Sequence, residues 1–274
     1  MAFDSELEAF RAYAKEFPNN CVLLVDTYDV DDGIKNAITV GKEMKERGEK
    51  LAAIRIDSGD LTWLSKIARR MLDEAGLDDC GIILSNDLDE YSIKSIQAEG
   101  GVFSGLGVGT KLATAYDQPA LGGVYKLSAT KMHNVDVWQP HMKVSESSQK
   151  ITIPGVLNVR RYVDKHGKLA GDMIYDINLG IDKSNIIVDP MDILRQKKMG
   201  DYEYSELLLP MFKNGEFVGE AFDTMKAQKR AKDALASLDE TQKRTLNPHT
   251  YPVGIERSLN ECRIKMVADL RGIN

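Results

Sequence analysis

Four short apolar runs, each closed by polar residues or glycine and each followed by a helix-like stretch, succeed one another between residues 21 and 110. CVLLVDT (21–27) leads into a helical stretch from Gly33 to about Arg47, and LAAIRIDS (51–58) into LTWLSKIARRMLDEAG, where Leu61, Leu64, Ile67, Ala68 and Met71 recur at helical spacing. GIILSND (81–87) precedes DEYSIKSIQAEG, in which Ile93 and Ile96 share a face that closes at Gly100 and Gly101, and VFSGLGVGT (102–110) precedes KLATAY. Short buried strands alternating with helices require crossover connections and a parallel sheet, so the fold class is α/β. A doubly wound sheet and a (β/α) barrel both satisfy this pattern, and in both the ligands gather at the C-terminal ends of the strands. Here those ends read DTYD, DSGD, SND and GVGT, so one topological edge collects polar and glycine chemistry.

Farther along, the period changes. GGVYKLSAT, KITIPG, NVRRYVD and DMIYDI read as strands separated by turn signals at Pro154-Gly155 and DKHGK (164–168), which suits an antiparallel β appendage. After about Asp201 the chain becomes helical again in DTMKAQKRAKDALASLDETQKRTL, and NPHTYPV (247–253) interrupts it with two prolines. Three segments result: βα units over 1–130, a mainly β segment over 131–200 and a C-terminal helical segment over 201–274. Four βα units cannot close an eight-stranded barrel of about 250 residues, so any barrel built from them is partial.

With 274 residues, 43% hydrophobic and 28% charged, the chain can bury a sizeable core. A formal charge of -6 provides no basic field for a nucleic-acid backbone. Cys21, Cys80 and Cys262 are few, odd in number and far apart, so neither a disulfide framework nor a zinc cluster is expected. No uninterrupted apolar run reaches about 18 residues and the N-terminus is acidic, so a cytoplasmic protein without a membrane span is expected.

IRIDSGDL (54–61) concentrates the chemistry. Ile54 and Ile56 suit a buried strand, while Arg55 and Asp57 share its other side near the mouth. Such a pair is costly in a buried sheet unless it is matched or meets a ligand; a guanidinium suits carboxylate or phosphate, and a carboxylate suits ribose hydroxyls. Ser58, Gly59 and Asp60 either line the same mouth or cap the next helix. In GLGVGT (105–110), Gly107 and Gly109 let backbone N–H groups approach an anion and Thr110 adds a hydroxyl; glycines also mark tight packing. Asp26, Thr27 and Asp87 complete the candidate ligand contacts, whereas Asp29, Asp31 and Asp32 suit a solvated loop, and Asp89 and Glu90 compensate a helix dipole. His133, His141, His166 and His249 all lie outside the βα half, and no nucleophile–histidine–acid set or HExxH helix occurs.

Taken in order, LLVDTYD, IRIDSGDL, SNDLDE, GVGT followed by PALGGVYKL, KITIPG and NPHTYPV resemble the nicotinate phosphoribosyltransferases. The resemblance implies a partial irregular (β/α) barrel of the type II phosphoribosyltransferase kind, with the antiparallel β appendage and C-terminal helices. It implies the synthesis of nicotinate mononucleotide from nicotinate and phosphoribosyl pyrophosphate in NAD biosynthesis, with ATP as stimulating co-substrate. Magnesium would come with the pyrophosphate, without direct protein ligands, and the full-length enzyme would be a homodimer. By motif, Arg55 and Asp57 would act at the reacting ribose and pyridine, with Ser58, Gly59 and Asp60 at the same mouth. Asn86 and Asp87 would hold ribose hydroxyls, and Gly107, Gly109 and Thr110 the 5′-phosphate. Alternatives are a type II enzyme for quinolinate or nicotinamide, and a noncatalytic partner of a separate N-terminal half. The family's phosphorylated histidine motif has no counterpart here, so the isolated chain is expected to be weakly active or inactive.

Overall fold

The computed structural model describes residues 2–146 and 150–273, which divide into two compact units, Met1–Gly122 and Gly123–Asn274.

The first unit runs α1 (Glu6–Glu16), β1 (Cys21–Leu24), α2 (Val30–Glu46), β2 (Leu51–Ile56), α3 (Leu61–Glu74), β3 (Gly81–Leu84), α4 (Glu90–Ala98), β4 (Gly105–Leu106) and α5 (Thr110–Ala113). The strands pair in parallel in the order β1-β2-β3-β4. Leu23, Ile54, Ile56, Ile82 and Leu84 bury against Ile34, Ala37, Met44, Ala68 and Leu72 of the helices. Complete burial of an isoleucine such as Ile54 or Ile56 stabilises the fold by about 2 kcal/mol. The crossover after β1 depends on Gly33, because a Cβ there would lie 2.0 Å from the Val25 carbonyl oxygen. Side-chain caps start the helices: Asp29 accepts from Asp32 N at 3.0 Å, Asp60 from Trp63 N at 3.0 Å, and Asp89 and Ser92 cap reciprocally.

Two expectations change in this unit. Asp29, Asp31 and Asp32 form the cap and first turn of α2, where carboxylates meet free N–H groups and the positive end of the helix dipole, and are not a loop. The sheet is open: among the described residues no closed sheet forms, so the fold is mixed α/β without a demonstrated barrel.

The second unit contains β5 (Ala129–Lys131), β6 (Trp138–Pro140), β7 (Leu157–Val163), β8 (Leu169–Asp176), β9 (Ile186–Val188), β10 (Gln196–Lys198), β11 (Glu203–Glu206), β12 (Phe212–Lys213), β13 (Glu216–Phe217), α6 (Thr224–Ser237), β14 (Val253–Glu256) and α7 (Arg257–Arg271). Its main sheet has the order β10-β9-β14-β8-β7-β11, with two separate hairpins, β5-β6 and β12-β13. The DKHGK turn joins β7 to β8.

Differences from expectation are larger here. The sheet is mixed, because β14 returns from the far C-terminal region and pairs in parallel with β8 and antiparallel with β9. KITIPG is not a strand: Pro154 has no N–H to contribute, and the segment is tied by Thr152 N to Lys143 O at 3.3 Å and Gly155 N to Ser128 O at 2.8 Å. In GGVYKLSAT only the end at Ala129 is extended and paired. The helical character expected of 201–274 is confined to α6 and α7, and the short strands β11 to β14 lie in the remainder.

Candidate functional site

Arg55 lies between the buried Ile54 and Ile56, and strand alternation turns it onto the face opposite them. Its Nε donates to Ser85 Oγ at 2.9 Å and its Nη2 to Asp57 Oδ1 at 3.1 Å. The Ser85 hydroxyl donates to the same Asp57 oxygen, closing a three-residue ring across the ends of β2 and β3. Ser85 is only 4% exposed, whereas the Arg55 and Asp57 side chains are 44% and 42% exposed. A buried hydroxyl therefore orients two charges whose outer faces meet solvent. The Ser85 hydroxyl holds the Asp57 carboxyl below the usual carboxylate range, and Arg55 assists against the opposing effect of partial burial. Arg55 and Asp57 are matched to each other and half-exposed, so the desolvation penalty that a buried pair would carry is small.

Asp26 ties β1 to this centre. Its Oδ2 accepts from Asp57 N at 2.8 Å and from the Ser58 hydroxyl at 2.7 Å. Of the two capping candidates, Asp60 caps α3, and Ser58 faces Asp26 instead. Gly59 turns at φ +77°, and Thr27 borders an apolar groove with Phe3, Phe17 and Leu24. The loop after β3 is strained: Asn86 and Asp87 have φ of 99° and 45°. Each such non-glycine conformation costs on the order of 1–3 kcal/mol and is typical of ligand-facing turns. Gly107 N donates to Leu84 O at 2.8 Å, and a Cβ on Gly107 would lie 3.0 Å from Ser85 Cβ. Close packing on Ser85 accounts for Gly107, while Gly109 has open space around it and immediately precedes Thr110 at the start of α5.

The fold thus brings Asp26, Arg55, Asp57 and Ser58 into one hydrogen-bonded group, with Asn86, Asp87 and the Gly107–Thr110 turn following the neighbouring strands at the same sheet edge. Sequence reasoning missed two members. Ser85 was read only as part of SND, although its position two residues after Ile83 puts it on the Arg55 face. Lys111, directly after GVGT, donates to Asp89 Oδ2 at 2.6 Å beside a cavity of ≈ 250 Å³ bounded by Glu90 and Tyr116. Lys111 first, and then Ser92, holds the Asp89 carboxyl far below the usual range. Among the described residues no cluster of three or more His, Cys, Asp and Glu side chains is arranged to hold a metal ion. Nor does any helix among them have the length and apolarity to cross a membrane.

Comparison with known proteins adds the following. Residues 158–263 match the model of the nicotinate phosphoribosyltransferase C-terminal domain. The chain is 37% identical to the nicotinate phosphoribosyltransferase of Bacillus subtilis over 274 residues, covering 98% of this chain and 55% of that protein. It is 35% identical to an enzyme of the same name from Mycobacterium tuberculosis over 257 residues, covering 93% of this chain and 48% of the other. The chain spans about half the length of the curated relatives it matches. The crystal structure of human nicotinic acid phosphoribosyltransferase superimposes with a TM-score of 0.70 at 24% identity, over 96% of this chain and 50% of that one. That of the nicotinate-nucleotide pyrophosphorylase from Pyrococcus furiosus gives 0.52 at 20% identity, covering 85% and 52%. At these identities the two structures establish likeness of fold. The chain as a whole resembles the nicotinate phosphoribosyltransferases.

Proposed function

We propose that this chain carries the ribose-phosphate half of the site of a nicotinate phosphoribosyltransferase. The parent enzyme would join nicotinate to phosphoribosyl pyrophosphate, stimulated by ATP, giving nicotinate mononucleotide for NAD biosynthesis. The Arg55–Ser85–Asp57 ring at the sheet's C-terminal edge is the observation that carries this reading, and the likeness to named enzymes over nearly the whole chain supports the choice of nicotinate over quinolinate or nicotinamide.

In the proposed reaction the bond from ribose C1 to pyrophosphate breaks, and pyrophosphate leaves with the electron pair. The pyridine nitrogen then forms its bond to C1, which passes through positive charge. Asp57, kept ionised by Ser85, would oppose that charge from a fixed position. Arg55 would use the donors not engaged by Ser85 and Asp57 for the anionic groups of the substrates. The strained Asn86–Asp87 turn would present polar groups to the ribose hydroxyls, and Gly109 and Thr110 would leave backbone access for the 5′-phosphate. Asp26 would act mainly as a positioning residue, because one carboxylate oxygen is committed to Asp57 N and Ser58. Magnesium would enter on the pyrophosphate and would neutralise its charge.

The four parallel strands would form part of an irregular barrel, and the complete enzyme would work as a homodimer. Three unpaired cysteines agree with a cytoplasmic setting. The test is calorimetric titration of phosphoribosyl pyrophosphate and of nicotinate mononucleotide into wild type and Asp57→Ala. At least tenfold weaker binding by the variant is expected; equal affinity overturns the site. Competition among nicotinate, nicotinamide and quinolinate tests the pyridine, and a nicotinamide preference overturns that choice.

A further inference from the structure

KITIPG and the β5–β6 hairpin take no part in the site of the first unit. In the second unit they meet the end of β8 and the start of α7 around a cavity of ≈ 220 Å³. Trp138 and Pro140 come from the hairpin, Pro154 and Gly155 from the connection, Asp176 from the end of β8 and Leu259 from α7.

The walls are anchored. Ser128 O accepts from His141 N and from Gly155 N, each at 2.8 Å, which ties the hairpin to the connection. Ile177 N donates to Val156 O at 2.9 Å and ties the connection to the chain after β8. A pocket whose walls are already fixed loses little entropy when it is filled.

Among the described residues Asp176 is the one charged group in this lining, and it is only 6% exposed. Asn178 accounts for one of its oxygens: Oδ1 accepts from Asn178 N at 2.8 Å and from Asn178 Nδ2 at 3.2 Å. Among the described residues no hydrogen bond reaches Oδ2. Oδ2 lies on the Gly155 side, where a Cβ would come within 2.2 Å of it, so Gly155, at φ +106°, keeps open the space that this oxygen occupies. A carboxylate set among apolar groups is costly until a positive group reaches it.

The lining narrows that positive group to one chemistry. A divalent metal ion needs about six oxygens around it, whereas the side chains here offer those of Asp176 and Asn178 among prolines, Trp138 and Leu259. A guanidinium pairs best with both oxygens of a carboxylate, and Oδ1 is already committed to Asn178. An ammonium needs one oxygen, its alkyl stem suits the apolar walls, and an indole is the best aromatic partner for a cation.

We propose that this cavity binds an alkylammonium group, its nitrogen on Asp176 Oδ2 and its stem between Trp138 and Leu259. A free amine and a lysine side chain share this chemistry. The site belongs to the second unit and does not rest on the reading given to the Arg55–Asp57 centre.

Trp63→Phe leaves Trp138 as the single tryptophan of the full chain, so its fluorescence reports binding. In that background butylammonium is expected to bind at least tenfold more tightly than butanol and more tightly than butylguanidinium, and excess magnesium should not displace it. Asp176→Asn keeps the Oδ1 acceptor for Asn178 but puts an amide NH2 where Oδ2 stood, and should abolish the preference for butylammonium over butanol. Trp138→Leu, at a residue 42% exposed, guards against misfolding of the buried variant: calorimetry should show butylammonium weakened at least threefold with the thermal midpoint unchanged. Binding of Nα-acetyl-lysine amide as tightly as butylammonium assigns the site to lysine side chains, and its exclusion assigns it to free amines; the ammonium site stands in both cases. Equal binding of butylammonium and butanol, displacement by magnesium, or an unaffected Trp138→Leu would each overturn the proposal.

Discussion

The first unit buries a nearly continuous apolar cluster, with Leu23, Ile54, Ile56, Leu72 and Leu84 almost wholly hidden. The second has a much smaller apolar centre around Tyr162, Met173, Ile187 and Met199, and surrounds it with polar contacts between distant positions. There Arg161, Asp172 and Tyr251 form one network, Tyr162 donates to Asn185 at 2.7 Å, and Arg160 lies 3.7 Å from the Tyr204 ring centre while paired with Glu206. Non-directional burial tolerates local adjustment, whereas hydrogen-bonded charges demand one arrangement. The first unit is thus built as a scaffold that can carry strain at its mouth, and the second as a set of mutually fixed strands.

Substitutions can break or sharpen this contrast. The largest effect is expected for Ile54→Ala, which empties a fully buried site in the apolar core and should cost about 4 kcal/mol in urea denaturation. A loss below about 1 kcal/mol would contradict core dominance in the first unit. Next comes Asp172→Ala, which leaves Arg161 without its two-pronged partner in a mostly buried setting; about 3 kcal/mol is expected, discounted because the guanidinium is partly wet. In a double-mutant cycle Asp172 and Tyr251 should couple, and strict additivity would count against the polar network.

Smaller effects probe the site. Asn86→Gly should relieve the backbone at φ 99° and raise stability by about 1 kcal/mol, while weakening phosphoribosyl pyrophosphate binding through loss of the amide. Improved binding would remove Asn86 from the ribose contacts. Ser85→Ala removes the main influence depressing the Asp57 carboxyl, so a carbon-13 NMR titration should show its pKa moving up toward the ordinary carboxylate range. Because the folded value is depressed, the stability it contributes is present above the unfolded pKa and is lost as pH falls through the folded one. Ser85→Ala should therefore lower stability at neutral pH and make its acid limb shallower, because less of this contribution remains to be lost as pH falls; an unmoved Asp57 titration would assign the shift elsewhere. The smallest effect belongs to the exposed pair Lys229–Asp233 on α6, where removing either partner should change stability by about 0.3 kcal/mol.

Much of the first unit was legible because its signals are local. Apolar periodicity located β1 to β3 and α2 to α4, and the polar strand ends located Arg55, Asp57, Asn86 and Asp87 at one edge. Helix starts were less legible: Asp29 in YDVDDG resembles a loop residue until its carboxylate is seen on Asp32 N. KITIPG was misread because its apolar alternation resembles a strand, while Pro154 and the tie from Gly155 to Ser128 hold it as a connection.

The sequence by itself determined the order of strands and helices, the parallel pairing of the first four strands and the chemical character of their ends. Those properties follow from side-chain alternation, turn residues and short crossovers, all of which act over neighbouring positions. Only the tertiary structure decided that Ser85 joins Arg55 to Asp57, that β14 enters the sheet between β8 and β9, and that NPHTYPV faces Arg195 and Lys197 across a cavity. These depend on partners tens of residues apart, whose hydrogen bonds and charges have no period along the chain and acquire meaning only when packing brings them within about 3 Å.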